Sequence, residues 1–213
     1  MIKVLTIERE YGSGAAAIAH RLADKLGWKL WDQAITDEVA RYLECDRQHV
    51  ERQEERRDPL HYRLLKSFMR GSFEGSLNAP KMKIADAEGI RKVTEQLVRK
   101  AADEGEAVIV GRGAAYYLHD CENAFHTFVY APFDDKVHRL QREGRSQAEA
   151  MELVENVDSD RTVFIKEHFG IDWPARPFFH LMVNSLIGEE MVIDVILGGL
   201  AAAKKGKLPG MSC

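Results

Sequence analysis

Residues 4–22 read VLTIEREYGSGAAAIAHRL, and this stretch decides how the chain folds. The run Val4–Ile7 is almost continuously apolar, as buried strands of parallel sheets are. Over Ala15–Leu26 the apolar residues recur at the spacing of a helix. Gly12 and Gly14 lie between the two segments and permit the tight, positive-φ backbone of a turn. The stretch therefore predicts a strand, a glycine-containing loop and a helix in direct succession.

The same succession of strand and helix continues along the chain. Segments rich in β-branched and aliphatic residues predict strands, and apolar residues at helical spacing predict helices. Strands are predicted at Lys3–Ile7, Lys29–Trp31, Ala107–Val110, His126–Ala131 and His180–Asn184. Helices are predicted at Ala15–Leu26, Gln33–Leu43, Ala85–Asp103, Asp134–Arg142, Ser146–His168 and Glu189–Ala203. An α/β fold follows, with a parallel sheet covered by helices on both faces.

The overall composition is that of an ordinary globular protein. Of 213 residues, 45% are hydrophobic and 30% are charged, which excludes a disordered or collagen-like chain. The formal net charge of −4 argues against a basic surface over the whole chain and so disfavours a nucleic-acid partner, although it leaves a local basic patch open. Three widely separated cysteines without a CxxC pair favour free thiols.

Neither a targeting signal nor a membrane span is predicted. The first apolar run is only a strand long and charges follow it directly, unlike a signal peptide. No segment reaches the roughly 18 apolar residues that a spanning helix needs. We therefore expect a cytoplasmic protein with no membrane partner.

An insertion separates the second predicted strand from the third. Residues 32–106 lie between them, whereas a plain crossover needs about a dozen residues. Within it, His61–Phe73 mixes basic and aromatic residues, which would suit RNA but fits the packed face of an amphipathic helix better by its spacing. With no repeat and no second core, a single domain over residues 1–213 is predicted. Exposed helices of the insertion leave a homodimer open.

The loop of the opening stretch has the sequence order of a phosphate cradle. After a strand, glycines let successive backbone N–H groups point at one anion, and the start of a helix adds its dipole. A simple turn without a ligand is the alternative for this loop taken alone. The Walker A pattern is absent, because Ala15, Ala16 and Ala17 follow Gly14 where that pattern has a lysine and a hydroxyl residue. A conventional P-loop NTPase is therefore not supported by this loop.

Charged residues follow the ends of the first three predicted strands. Arg9 follows the first, Asp32 the second and Arg112 the third. Ligands of open α/β sheets bind beyond the carboxyl ends of the strands, so these side chains are predicted to meet at one edge. Arg112 lies between two glycines, which leaves room for a phosphate, although a surface turn would accommodate it as well.

Basic residues at helical spacing follow the fourth predicted strand, at Lys136, Arg139, Arg142 and Arg145. On a later helix, Asp158 lies three residues before Arg161. Guanidinium groups hold phosphate and a nearby carboxylate accepts hydrogen bonds from ribose, so such a set suits a phosphorylated sugar. A solvated basic face is the alternative for the Arg139–Arg145 cluster. HExxH, GxSxG and GxGxxG motifs are absent, and no metal site is predicted.

Five stretches, in order along the chain, resemble the cytidylate kinase-like family, a branch of the P-loop nucleoside monophosphate kinases. They are TIEREYGSGAAAIAHRLADKLGWKLWDQAI, VIVGRGAAYYLHD, VYAPFDDKVHRLQREG, DSDRTVFIKEHFGIDW and FHLMVNS. The resemblance implies a three-layer P-loop kinase-like fold with a parallel five-stranded sheet of order 2-3-1-4-5. It also implies a helical, monophosphate-binding insertion near residues 33–84 and a lid near residues 133–145.

The resemblance further implies roles for individual residues. The residues implied to hold the ATP phosphates are Arg9, Gly12, Ser13, Gly14, Ala15, Ala16 and Ala17. Arg112 resembles the arginine that clamps the acceptor monophosphate, while Asp158 and Arg161 resemble the pair that holds the sugar and phosphate of CMP. Asp32 is expected beside them as a substrate-binding residue. Arg139 and Arg142 resemble lid arginines, so the implied catalytic set is Arg112, Arg139, Arg142 and Arg161.

The loop departs from the family pattern at its basic positions. True cytidylate kinases have a lysine where this chain has Ala15, and the family's usual loop has an arginine at the position of Ala16. Because fixed positive charge dominates the catalysis of phosphoryl transfer, two hypotheses follow. One is weak ATP-dependent phosphorylation of CMP or a related monophosphate, with Arg9 replacing the missing charge and Glu8 or Asp32 recruiting Mg²⁺. The other is a catalytically silent nucleotide-binding regulatory protein.

Overall fold

Five parallel strands form the central sheet of the structure, a computed structural model that describes residues 1–32, 35 and 87–206. The strands are β1 (Val4–Arg9), β2 (Lys29–Trp31), β3 (Ala107–Val110), β4 (Ala124–Tyr130) and β5 (Leu181–Asn184). Their spatial order is β2-β3-β1-β4-β5, and every neighbouring pair runs parallel. The order that the family resemblance implies is therefore confirmed. All five strands end at the same edge, which is where the predicted charged residues follow them.

Six helices accompany these strands in the described part of the chain. They are α1 (Ala15–Leu26), α2 (Ala87–Glu104), α3 (Ala114–Tyr117), α4 (Phe133–Arg142), α5 (Gln147–Phe169) and α6 (Glu189–Lys205). Short 3₁₀ turns flank β5 at Arg176–Phe178 and Ser185–Ile187. None of the helices within the described ranges is long and apolar enough to cross a membrane.

Alternating strand residues divide the core into two layers. Leu5 and Ile7 of β1 pack with apolar residues of α1 and α6 on one face. Val4 of β1 and Ile109 of β3 pack with α2 and α3 on the other face. Because successive side chains of a strand point to opposite faces, both faces of this buried sheet need apolar residues. The runs VLTI and AVIV are apolar for this reason, and the three-layer arrangement is confirmed.

The α4–α5 pair forms a helical hairpin over the edge where β1 ends. Val137 and Leu140 of α4 pack against Ala150 and Val154 of α5, and Tyr11 from the glycine loop joins this cluster. The predicted lid at residues 133–145 covers α4 and the turn after it. The contact with Tyr11 fixes the hairpin beside the loop.

Several sequence predictions fall outside the described residues. They are the insertion at residues 33–84, the helix Gln33–Leu43 apart from residue 35, and the mixed basic and aromatic segment His61–Phe73. The single-domain boundary at residues 1–213 and the homodimer also stay predictions.

Candidate functional site

The glycine loop that follows β1 has the backbone of a phosphate cradle. Gly12 (φ 74°) and Gly14 (φ 76°) are both left-handed, and Gly14 caps the amino end of α1. A side chain at either position would be strained by this backbone. The loop therefore presents the first N–H groups of α1 toward the carboxyl edge of the sheet, as anion-binding helix ends do.

A second left-handed turn follows β3 and places Arg112. Gly111, Arg112 and Gly113 have φ values of 64°, 62° and 67°, so three successive residues turn the chain from β3 into α3. For a non-glycine residue this backbone costs about 1–3 kcal/mol, and such strain concentrates at functional sites. The side chain of Arg112 is only 3% exposed, so the turn directs a guanidinium into the protein.

The turn also makes room for Arg9. A Cβ at Gly111 would collide with Nη1 of Arg9, so the missing side chain lets the Arg9 guanidinium cross from the end of β1 to the end of β3. Both arginines are therefore buried side by side. The expected meeting of charged side chains at this edge is found, and Asp32, which is also buried, belongs to the same electrostatic group.

The charges around Arg112 are of both signs. Burial lowers the pKa of Arg112 to about 10, the nearby Asp32 opposes the shift, and Arg9 and Arg161 add to it. Arg112 nevertheless stays protonated at neutral pH. Carboxylates already accompany the three guanidinium groups, and a phosphate would add a further charge-assisted acceptor.

Glu8 is a second buried carboxylate of this group, beside Asp32. Backbone N–H groups of Ala114 and Ala115, at the start of α3, donate to it, while its Oε1 has no hydrogen-bond partner among the described residues. Burial raises the pKa of Glu8, and the positive charges of Arg9 and Arg161 act in the opposite direction. An unsatisfied buried carboxylate oxygen of this kind is a candidate ligand for a cation.

Asp158 connects the glycine loop to the α4–α5 hairpin. Its Oδ1 accepts from the backbone N–H of Tyr11 (2.8 Å) and from Nη1 of Arg161 (3.1 Å), and Nη1 of Arg161 also donates to the carbonyl of Arg9 (3.0 Å). The predicted pair of Asp158 and Arg161 is therefore together, and both residues bind the backbone that leads into the loop. The carboxylate of Asp158 acts in this structure as a brace of the loop.

Lys136 is a residue of this site that the sequence did not single out. Its Nζ lies 3.0 Å from Oε2 of Glu10 and 3.3 Å from Oδ2 of Asp158, and its side chain is 9% exposed. The backbone N–H of Ala131 also donates to Oε2 of Glu10 (3.3 Å). Helical spacing with Arg139 placed Lys136 on the correct helix, but nothing in the spacing distinguished it from its solvated neighbours.

The two predicted lid arginines lie in different surroundings. Arg139 donates from Nη1 to the carbonyl of Gly12, and its guanidinium lies directly against Gly14. Arg142 is exposed, and its Nε donates to the carbonyl of His138 on its own helix (3.4 Å). The structure thus brings Arg139 to the glycine loop and leaves Arg142 on the outer surface of α4.

The three alanines after Gly14 differ in exposure. Ala15 is fully buried in the core, Ala16 is half-buried and Ala17 is exposed. Before them, the carbonyl of Ser13 accepts a hydrogen bond from the hydroxyl of Ser185, at 2.7 Å, so the segment after β5 holds the loop in place. A basic side chain could therefore be accommodated at Ala16 more easily than at Ala15.

The oxygen atoms near the loop fit the chemistry of Mg²⁺. Oε1 of Glu8 and the hydroxyl of Ser13 are buried without a hydrogen-bond partner in the described part of the chain. Oxygen ligands suit this hard cation, which usually takes one or two carboxylates and completes its coordination with phosphates and water. The described residues contain no group of three or more His, Cys, Asp or Glu side chains arranged for a metal. Such an ion would therefore depend on bound phosphates.

Comparisons with solved structures identify the fold. An uncharacterized protein from Eubacterium ventriosum is 23% identical over 95% of this chain and 99% of its own, with a TM-score of 0.67. Shikimate kinase from Acinetobacter baumannii, solved in complex with shikimate, is 14% identical over 96% of each chain, with a TM-score of 0.52. A search of curated proteins finds no match.

These identities are low, so the two structures establish the fold alone, which is that of P-loop kinases. The family comparison goes further, because one family model spans most of the sequence, including the glycine loop, the Arg112 turn and the α4–α5 hairpin. Residues 4–186 match this model, and the chain belongs to the cytidylate kinase-like family.

Proposed function

We propose that the protein binds nucleotides and transfers the γ-phosphoryl group of ATP to CMP or a related nucleoside monophosphate. The observation that carries this proposal is the buried set of guanidinium groups of Arg9, Arg112 and Arg161 beside the glycine loop. Two phosphate-bearing substrates must lie end to end in such a reaction. The loop suits the phosphates of the donor, and the guanidinium cluster suits the phosphate of the acceptor.

Each group contributes positioning or charge, which is most of what this chemistry requires. Backbone N–H groups of Gly12–Ala17 would hold the donor phosphates, and Arg139 would cover them from α4. Arg112 and Arg161 would bind the acceptor phosphate. Asp32 would lie at the acceptor side, while Oδ2 of Asp158, which accepts from Lys136, would accept a further hydrogen bond from the acceptor sugar.

Oε1 of Glu8 and the hydroxyl of Ser13 would hold Mg²⁺ from the protein side. When bound, the ion supplies positive charge to the phosphates. The residues of the chain then orient the two substrates and exclude water from the buried edge. This use of Glu8 explains why a carboxylate oxygen is retained there in spite of its cost of burial.

A catalytically silent nucleotide sensor is the second candidate. The observation that favours it is the absence of a basic side chain at Ala15, Ala16 and Ala17. Such a protein would bind the same ligands, and the α4–α5 hairpin would respond to them. The two candidates differ only in turnover.

Calorimetric titration with ATP and with the four common monophosphates tests the proposal, with ATP-dependent phosphorylation of each acceptor as a second readout. Gly14→Val should abolish ATP binding, because Gly14 is left-handed and lies against Arg139. Gly27→Val is the matched control, since Gly27 is a left-handed glycine at the other end of α1 with open space around it. Wild-type protein that binds no nucleotide would contradict both candidates, and binding without turnover would favour the sensor.

A further inference from the structure

We propose that Lys136 of α4 supplies to the donor phosphates the positive charge that the glycine loop itself lacks. This inference rests on the proposed function, because it assigns a ligand to the same site. In the Walker A pattern a lysine of the loop meets these phosphates. Here the corresponding residue is Ala15, and the lysine reaches the loop from a helix more than a hundred residues later in the sequence.

The first argument is the contact between α4 and the loop. A Cβ at Gly12 would lie 3.1 Å from Cβ of Lys136 and 3.3 Å from its carbonyl oxygen. The helix therefore packs directly on Gly12, where a side chain would crowd this approach. The backbone that cradles a phosphate and the residue that bears the charge are in direct contact.

The second argument is the way the ammonium group is held. A buried lysine is costly without compensating partners, and Lys136 has carboxylates of Glu10 and Asp158 on its Nζ. These contacts use two of its three N–H groups. They fix the position of Nζ beside Glu10, the residue that leads into Tyr11 and the loop, and a fixed charge is the preorganisation that charge stabilisation in a phosphoryl transfer requires.

The third argument is the difference between the two carboxylates. Asp158 also accepts from Tyr11 and Arg161, and its side chain is 15% exposed, so it is firmly fixed. Glu10 is more exposed, at 23%, and its Oε2 accepts only from Lys136 and Ala131 in the hydrogen bonds described. A phosphate oxygen could take the place of Glu10 on Nζ. Glu10 would then hold the lysine until the nucleotide arrives and compete weakly with it.

The test measures the affinity for ATP and for inorganic tripolyphosphate by calorimetry at constant ionic strength. Lys136→Met should weaken both by about 10- to 100-fold, since a charge-assisted hydrogen bond is lost. Lys100→Met, at an exposed lysine of α2, should leave both affinities unchanged. Glu10→Gln removes the competing anion and should raise the affinity for tripolyphosphate.

Rescue separates a phosphate ligand from a structural tie. Ala16→Arg returns a basic side chain to the loop, and it should raise the ATP affinity by a larger factor in the Lys136→Met background than in the wild type. If the role of Lys136 is structural, Ala16→Arg should raise the ATP affinity by the same factor in both backgrounds. If Lys136→Met does not fold, Glu10→Gln and Lys136→Arg decide. A structural tie predicts that Glu10→Gln does not raise the affinity for tripolyphosphate. It also predicts that Lys136→Arg binds ATP and tripolyphosphate with the same affinities as the wild type does.

Two failures are distinguishable. A folded Lys136→Met variant that binds ATP and tripolyphosphate as the wild type does would overturn the role of Lys136 and leave the proposed function standing. A wild-type protein that binds neither ligand would overturn both.

Discussion

Arg112 combines the two features that mark a functional residue at the scale of a single side chain, a strained backbone and a buried charge. Its φ of 62° belongs to the left-handed region, and its guanidinium is buried among charges of both signs. Neither feature stabilises the free protein. Both features are explained if the residue is retained to bind an anion. Substitution can separate the effect of the strained backbone from the effect of the buried charge.

Arg112→Ala and Arg112→Gly remove the same guanidinium but differ in backbone strain. Both should bind CMP at least tenfold more weakly than the wild type, because a charge-assisted hydrogen bond to phosphate is lost. The glycine variant should be about 1 kcal/mol more stable than the alanine variant, since glycine accepts the left-handed backbone without strain. Calorimetry with CMP and chemical unfolding of both variants check the two parts. Wild-type affinity in either variant would remove Arg112 from the acceptor site.

Glu8 makes a prediction about pH at the same scale. Its folded pKa is raised above the ordinary value of 4.5, so the folded protein holds this proton more tightly than the unfolded chain does. The contribution of Glu8 to stability is therefore complete below pH 4.5 and is lost as the pH rises through the raised value. The Gln side chain of the Glu8→Gln variant is uncharged at every pH. The unfolding free energy of this variant, relative to that of the wild type, should therefore increase from pH 4.5 upwards.

Chemical unfolding between pH 4.5 and pH 8 measures this difference. Glu152→Gln, at an exposed position of α5, is the control and should show no such trend. A difference between Glu8→Gln and wild type that stays constant with pH would mean that Glu8 has an ordinary pKa in the folded protein.

At the scale of elements, a buried histidine joins β4 to β1 and to the segment after α3. Nε2 of His126 lies 3.1 Å from the carbonyl of Leu118, which can only accept, so Nε2 carries the proton. Nδ1 then accepts from the hydroxyl of Thr6, at 2.8 Å. The ring is stacked on His180, and burial lowers the pKa of His126 to about 3. The neutral ring therefore holds these elements together.

This arrangement should make the protein less stable in acid. The unfolded chain protonates His126 near pH 6.5, while the folded protein does so only near pH 3, so stability is present above pH 6.5 and is lost as the pH falls between these values. This single group contributes a slope of up to about 1.4 kcal/mol per pH unit. His126→Asn should be less stable at pH 7 but should lose stability less steeply on acidification. The exposed His138→Asn variant should keep the wild-type slope, and equal slopes in all three proteins would contradict the assignment.

The elements themselves were largely predictable, and the reason is local. The runs at β1, β3 and β4 are apolar because both faces of these strands are buried, and this pattern is visible without any knowledge of the partners. The start of β4 was predicted two residues late, at His126 instead of Ala124. The polar histidine at the strand's third position is buried only because Thr6 and Leu118 satisfy it, which the segment itself does not reveal.

The candidate site was predictable only in part, because its contacts join distant parts of the sequence. Residues at strand ends could be placed together, since all parallel strands end at one edge. The hydrogen bond from Lys136 to Glu10 spans 126 positions, and that from Tyr11 to Asp158 spans 147. Helical spacing grouped Lys136, Arg139 and Arg142 as equals. Only the packing of α4 on Gly12 separates the buried lysine from the exposed Arg142.

At the scale of the whole molecule, two peripheral parts converge on one edge of the sheet. The glycine loop comes from the first βα unit, and the hairpin that supplies Lys136, Arg139, Asp158 and Arg161 comes from the second half of the chain. Under the proposed function, nucleotide binding therefore depends on docking of the hairpin as well as on the loop. The hairpin places basic side chains beside a loop that has three alanines after its last glycine.

Under the proposed function, the distribution of charge also predicts the rate of phosphoryl transfer. With no basic side chain at Ala15–Ala17, wild-type phosphorylation of CMP should stay below about 10 per second, the median for enzymes. Ala16→Arg should raise the rate, because Ala16 is half-buried at the start of α1 and its new charge meets the equatorial oxygens. Ala15→Lys should destabilise the protein, because Ala15 is fully buried in the core, and raise the rate less. Steady-state assays of the three proteins, with thermal unfolding as the check on folding, decide the question. Wild-type turnover at or above 10 per second would show that Lys136 and the arginines suffice, while three inert proteins that bind ATP would favour the silent sensor.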